Sequence, residues 1–210
     1  MNTGAWTTAG TDKVQVGDTV FDVTTATKSN EAGTWTWTAK SGYDKTKAVS
    51  DTNNVGTLTL KGFKLSYEKA TYAISLPAGV VVNVIGTNKI TNTGAGNITA
   101  AIVANGDVMF IGTGNLSATD EQTEASTKSL YTSGIFGYGA MTFSGPDVTG
   151  TGGIVAALTT SNVDPVPVSH GIHDNGIKRA DYVSHLRFNM FYLSVEQLDL
   201  FNRMSYLDRQ

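Results

Sequence analysis

Thr57-Leu58-Thr59-Leu60-Lys61-Gly62, Val82-Asn83-Val84-Ile85-Gly86, Asp107-Val108-Met109-Phe110-Ile111-Gly112 and Ala140-Met141-Thr142-Phe143-Ser144-Gly145 decide the fold. Each is a short strand-like run closed by glycine, and the four glycines lie 24, 26 and 33 residues apart. A second short apolar stretch follows each run: Phe63–Leu65, Lys89–Ile90, Asn115–Leu116 and Asp147–Val148. Tyr72-Ala73-Ile74, Ala101-Ile102-Val103 and Gly134-Ile135-Phe136 supply a third. A period of roughly 20–30 residues holding three short strands fits one coil of a β-solenoid. One coil alone cannot bury its Ile, Val and Leu side chains; stacked coils share a continuous core. Thr, Ser and Asn suit the outward positions and the turns, and glycine lets the backbone turn a corner at positive φ.

This pattern predicts an all-β chain, a short right-handed parallel β-helix of about four to six coils with an N-terminal cap and a short helical C-terminal tail. The alternative for the same strands is a β-sandwich. The regular glycine register favours the β-helix. Residues 1–54 are read as the N-terminal cap and first coil, 55–162 as the parallel coils, and 163–210 as a linker and partly helical tail. In the first segment Val14–Val23 holds two strand candidates. Gly33–Thr38 alternates strictly, with Trp35 and Trp37 on one face. Thr119–Lys128 is expected as a loop leaving one corner.

The last 45 or so residues read differently. All four Arg (Arg179, Arg187, Arg203, Arg209) and all three His (His170, His173, His185) follow residue 169. Val163-Asp164-Pro165-Val166-Pro167 has the prolines of an extended linker. Ser194 and Gln197 form a capping box ahead of Val195, Leu198, Phe201, Met204 and Leu207, which recur every third residue. Such a helix either caps an open end or serves attachment and homo-oligomerisation.

Composition narrows the function. The chain has 210 residues, a net charge of −3, 16% charged residues, 23 Gly and no Cys. The charge balance argues against a nucleic-acid partner, and disulfide chemistry is excluded. No apolar run approaches the ~18 residues of a membrane-spanning helix, so membrane insertion is not expected. The opening Met1-Asn2-Thr3-Gly4-Ala5-Trp6 lacks a basic and apolar leader. The expected location is extracellular or cell-surface, or within a virion.

Trp35-Thr36-Trp37, Gly56–Phe63, Ala73–Gly79, Val84–Thr91, Ile102–Val108 and Ile111–Ser117 together resemble the β-helical carbohydrate-binding-domain and adhesin-like surface proteins of gut and soil Firmicutes. The resemblance covers residues 33–152 and is one of coil architecture. It implies a right-handed parallel β-helix, extracellular display and Ca²⁺-assisted binding of acidic polysaccharides. Residues 165–210 depart from it.

Candidate sites follow from residue chemistry. Aromatic rings stack on the apolar faces of sugars, which nominates Tyr131, Phe136, Tyr138, Trp35 and Trp37 for carbohydrate binding. The competing role for strand aromatics is core packing. An outward ladder of Thr and Asn along a flat face is a second candidate surface. Asp120, Glu121 and Glu124 are hard oxygen ligands close together, a candidate Ca²⁺ site or a solvated acidic loop. His170-Gly171-Ile172-His173-Asp174 has Zn²⁺-ligand composition without diagnostic spacing, and is read as a polar loop. A polysaccharide lyase or hydrolase needs paired carboxylates facing one groove, and Asp107 and Asp147 are the coil acids available outside the insert. No phosphate-loop motif occurs.

These readings converge on a non-catalytic polysaccharide-binding or adhesin-like module. A homo-oligomeric structural or virion component is the alternative, and a polysaccharide lyase or hydrolase the second alternative.

Overall fold

The computed structural model describes residues 12–69, 71–94, 98–121, 131–152, 168–174, 178–179 and 186–189. Four strands come first: β1 (Lys13–Val16), β2 (Thr19–Asp22), β3 (Thr27–Ser29) and β4 (Trp35–Ala39). Then strands recur in threes. They are β5 (Gly56–Lys61), β6 (Lys64–Tyr67) and β7 (Tyr72–Pro77); β8 (Val80–Ile85), β9 (Thr87–Asn92) and β10 (Ile98–Asn105); β11 (Val108–Gly112), β12 (Asn115–Asp120) and β13 (Tyr131–Gly137). The series continues with β14 (Met141–Ser144), β15 (Asp147–Thr151) and β16 (Val168–Asp174), then β17 (Lys178–Arg179) and β18 (Leu186–Asn189).

The strands form three sheets. Sheet A has the order β16-β13-β10-β7-β1-β2, sheet B the order β17-β14-β11-β8-β5-β4-β3, and sheet C the order β18-β15-β12-β9-β6. From β5 onward each strand pairs in parallel with the strand three places later, as β5 with β8 and β6 with β9. The first four strands pair antiparallel: β1 with β2 and β7, and β4 with β3 and β5.

This arrangement corrects the expected single right-handed parallel β-helix. Two of the three sheets are mixed, and the described residues contain no helix. The reason lies at the N-terminus. The first strands of a parallel ladder leave a row of N–H and C=O groups open. The hairpins β1–β2 and β3–β4 run back along β7 and β5 and pair those groups. The two-residue turn Gly17-Asp18, with Gly17 at φ 57°, closes the first hairpin. The helix expected over 194–207 lies outside the described residues. Within residues 163–210, β16, β17 and β18 each add a parallel strand, one to every sheet.

Register aligns the inward side chains into columns. Trp37, Leu58, Val82, Phe110 and Phe143 stand opposite one another across sheet B, all buried. Ile74, Ile102 and Ile135 do the same in sheet A. Like side chains in line pack at the ~4.8 Å strand spacing, and the Phe110 and Phe143 rings stack with centroids 4.9 Å apart. Gly62, Gly86, Gly112 and Gly145, the sequence's register glycines, all have positive φ. At Gly112 a Cβ would also fall 2.2 Å from the Val84 carbonyl oxygen, so the corner is closed to any side chain.

Candidate ligand-binding face

Among the described side chains, the aromatic residues nominated by the sequence are not assembled into a sugar platform. Trp35 and Trp37 are buried against Phe21, with ring centroids 5.9 and 5.8 Å away. The Trp37 indole also donates to the Thr25 carbonyl at 3.0 Å. Their shared face is the inward one, which corrects their assignment to carbohydrate binding. Phe136 is 7% exposed and meets Tyr138 edge-on at 5.0 Å. Tyr138 is half-buried and packs with Tyr72 against the Ala100, Val103 and Phe136 cluster. Burial, then the neighbouring Tyr72, pushes the Tyr138 phenol above its ordinary range. Tyr131 opens β13, paired with Ile98 and Val168, and its side chain lies outside the described residues.

The acidic insert is also reorganised. Thr119 and Asp120 are not loop residues but the end of β12. Asp120 is fully buried, whereas Glu121 is exposed. Glu124 lies outside the described residues. Among the described residues no three His, Cys, Asp or Glu side chains converge as a metal site. Asp120 and Glu121 point apart, so these two do not fit a shared Ca²⁺ site. His170 and His173 lie on strand β16 rather than in a loop, paired in register with Ser133 and Phe136. The exposed Asp107 accepts the Ala140 amide at 2.8 Å, a corner-bracing contact.

The polar face of sheet C is open. An open depression of about 320 Å³ lies there, with Thr87, Asn115, Ser117, Asp147 and Thr149 on its surface. Buried Asn88 and Leu116 form its floor. Strand alternation explains the set: β12 reads exposed, buried, half-buried from Asn115 to Ser117, with Leu116 and Ala118 facing the core. Register then aligns Thr87, Asn115 and Asp147 in one column. Lys64, Lys89, Ser117 and Thr149 form the next column, and Thr119 and Thr151 stand in a third. Hydroxyl and amide groups thus repeat at the ~4.8 Å strand spacing.

Asn88 fixes the corner beneath this face. Its Oδ1 accepts the Phe63 amide at 2.8 Å. Its Nδ2 is directed at the carbonyls of Ile85, Gly86 and Asn115 at 3.1, 3.2 and 3.3 Å. One side chain therefore ties three levels of the sheet together. Sequence reasoning foresaw an outward Thr/Asn ladder but not this inward Asn. The signal was present: Asn88 has the parity of Ile90 in β9, whose alternation puts both inside.

Lys64 and Lys89 face each other in register on the exposed side of sheet C. Neither forms an ion pair with a described residue. No helix among the described residues is long and apolar enough to cross a membrane. No protein-family model matches the chain, and no curated protein or solved structure matches it.

Proposed function

We propose that the chain is a non-catalytic, extracellular polysaccharide-binding module whose ligand lies across sheet C. The observation that carries this reading is the depression over Thr87, Asn115, Ser117, Asp147 and Thr149. It offers hydroxyl and amide donors and acceptors in rows, the groups that orient sugar hydroxyls. An extended glycan running across the strands meets an equivalent row at each step. With the tryptophans inside, recognition rests on hydrogen bonding rather than ring stacking. The paired Lys64 and Lys89 beside the depression favour a glycan carrying anionic groups, because two like charges opposed across strands are relieved by a counter-anion. The depression has one carboxylate, Asp147, among its described lining residues, whereas glycoside hydrolysis uses two.

The test is affinity electrophoresis in neutral and acidic polysaccharides, with release of reducing ends or unsaturated products measured in parallel. Retardation without product, weakened in the Asn115→Ala/Thr149→Ala double variant, supports the reading. Equal retardation of variant and wild type, or none in any polysaccharide, overturns it. Product release replaces it with a lyase or hydrolase.

A further inference from the structure

Asp120 ends β12 at the corner where the chain turns from sheet C toward sheet A, and its side chain is fully buried. The carboxyl group accepts the Thr99 hydroxyl, the Asn92 amide nitrogen at 3.4 Å and the Ser133 backbone N–H. Thr99 and Asn92 are fully buried and Ser133 is 1% exposed. All of these donors are neutral. A buried carboxylate without a cation is costly and takes up a proton instead.

The surrounding elements supply no compensating charge among the described side chains. On β9 and β15 the ionisable residues are Lys89 and Asp147, both exposed, and Glu121 after β12 is exposed as well. Tyr72 on β7 is half-buried beside the Ala100, Val103 and Phe136 cluster. Lys178 and Arg179 lie on β17 in sheet B, away from this corner. On β6 Lys64 is exposed and Tyr67 half-buried, paired with Lys89 and Asn92. Tyr131 on β13, His170, His173 and Asp174 on β16, and Arg187 on β18 are the other titratable residues of the flanking strands; His170 is in register with Ser133 and Arg187 with Thr149, and the side chains of these five lie outside the described residues. Two polar atoms of the cluster are buried without a hydrogen-bond partner: Asn92 Oδ1, an acceptor, and Ser133 Oγ, a hydroxyl that can donate or accept. A carboxyl proton adds one donor, and the Thr99 hydroxyl can accept as readily as it donates.

We propose that Asn92, Thr99, Asp120 and Ser133 form a proton-binding corner: Asp120 holds a proton in the folded chain, and its loss weakens the junction of sheets C and A. Burial pushes the Asp120 carboxyl up to about 7, with the hydrogen bonds from Thr99, Asn92 and Ser133 opposing it. The unfolded chain loses this proton near pH 3.9, the ordinary value for Asp. Between about pH 4 and pH 7 the unfolded state therefore binds fewer protons than the folded state. Stability falls through that window, the unfolding constant rising by up to about tenfold per pH unit, and levels off above it.

The experiment is urea unfolding of the wild type and of Asp120→Asn from pH 4 to pH 8, with a ¹³C carboxyl NMR titration of the wild type. The expected result is a wild-type midpoint that falls with pH relative to that of the variant, and a carboxyl titrating near 7. Parallel pH profiles for the two proteins overturn the proposal. Where Asp120→Asn does not fold, the NMR titration decides: a midpoint below 5 overturns the proposal, and one near 7 upholds it.

Discussion

The indole of Trp37 occupies the space where a side chain on Gly56 would begin. A Cβ at Gly56 would lie 2.3 Å from the Trp37 ring and 2.8 Å from the Thr38 carbonyl oxygen. Trp37 cannot retreat, because it is fully buried and tied to the Thr25 carbonyl. Gly56→Ala is expected to cost roughly 1–3 kcal/mol through overpacking. Urea unfolding measures the loss. Unchanged stability would show that the indole has room to move.

Phe110 and Phe143 stack in the core of sheet B, both almost fully buried. Truncating either to Ala is expected to cost roughly 3–5 kcal/mol. In a double-mutant cycle the pair should show a coupling of about 0.5–1.5 kcal/mol beyond the area term. Strict additivity would mean that the rings share a core without interacting.

Asn88 joins Phe63, Gly86 and Asn115 through backbone hydrogen bonds. Asn88→Ala leaves several buried groups unpaired, each costing about 1–3 kcal/mol. Asn88→Asp keeps the shape but loses the donors and introduces a buried carboxyl group. Its folded-state pKa will be raised, so the variant's loss of stability relative to wild type should be larger at pH 7 than at pH 4. Unfolding at the two pH values checks the sign.

Lys64 and Lys89 are matched on adjacent strands without an acidic partner among the described residues. If they hold an anionic glycan, Lys64→Gln and Lys89→Gln should each weaken acidic-polysaccharide binding by about twofold to fivefold, the range of an exposed ion pair. Binding of neutral glycans should be unaffected. Titration at rising salt should remove the difference, since exposed charges are screened.

Much of the candidate site was present in the sequence as parity. Asn115-Leu116-Ser117-Ala118-Thr119-Asp120 alternates polar and small or apolar residues, and the alternation alone puts Asp120 on the face of Leu116 and Ala118. Reading it as the start of an acidic loop set charge above parity. The Trp35/Trp37 pair shows the converse limit. Alternation places both rings on one face, yet both faces of an isolated strand are equivalent until a partner covers one.

By itself the sequence determined the short strands, the glycine corners with positive φ at Gly62, Gly86, Gly112 and Gly145, and the inward rows of Leu, Val, Ile and Phe. These follow from local backbone sterics and a two-residue period. Tertiary structure decided the rest: the antiparallel entry of β1–β4, the burial of Trp35 and Trp37, and the meeting of Asp120 with Asn92, Thr99 and Ser133. Those depend on which strands become neighbours across the chain, as for Thr99 and Asp120, 21 residues apart. No local pattern encodes that choice, because the strand edges it satisfies are chemically alike along the chain.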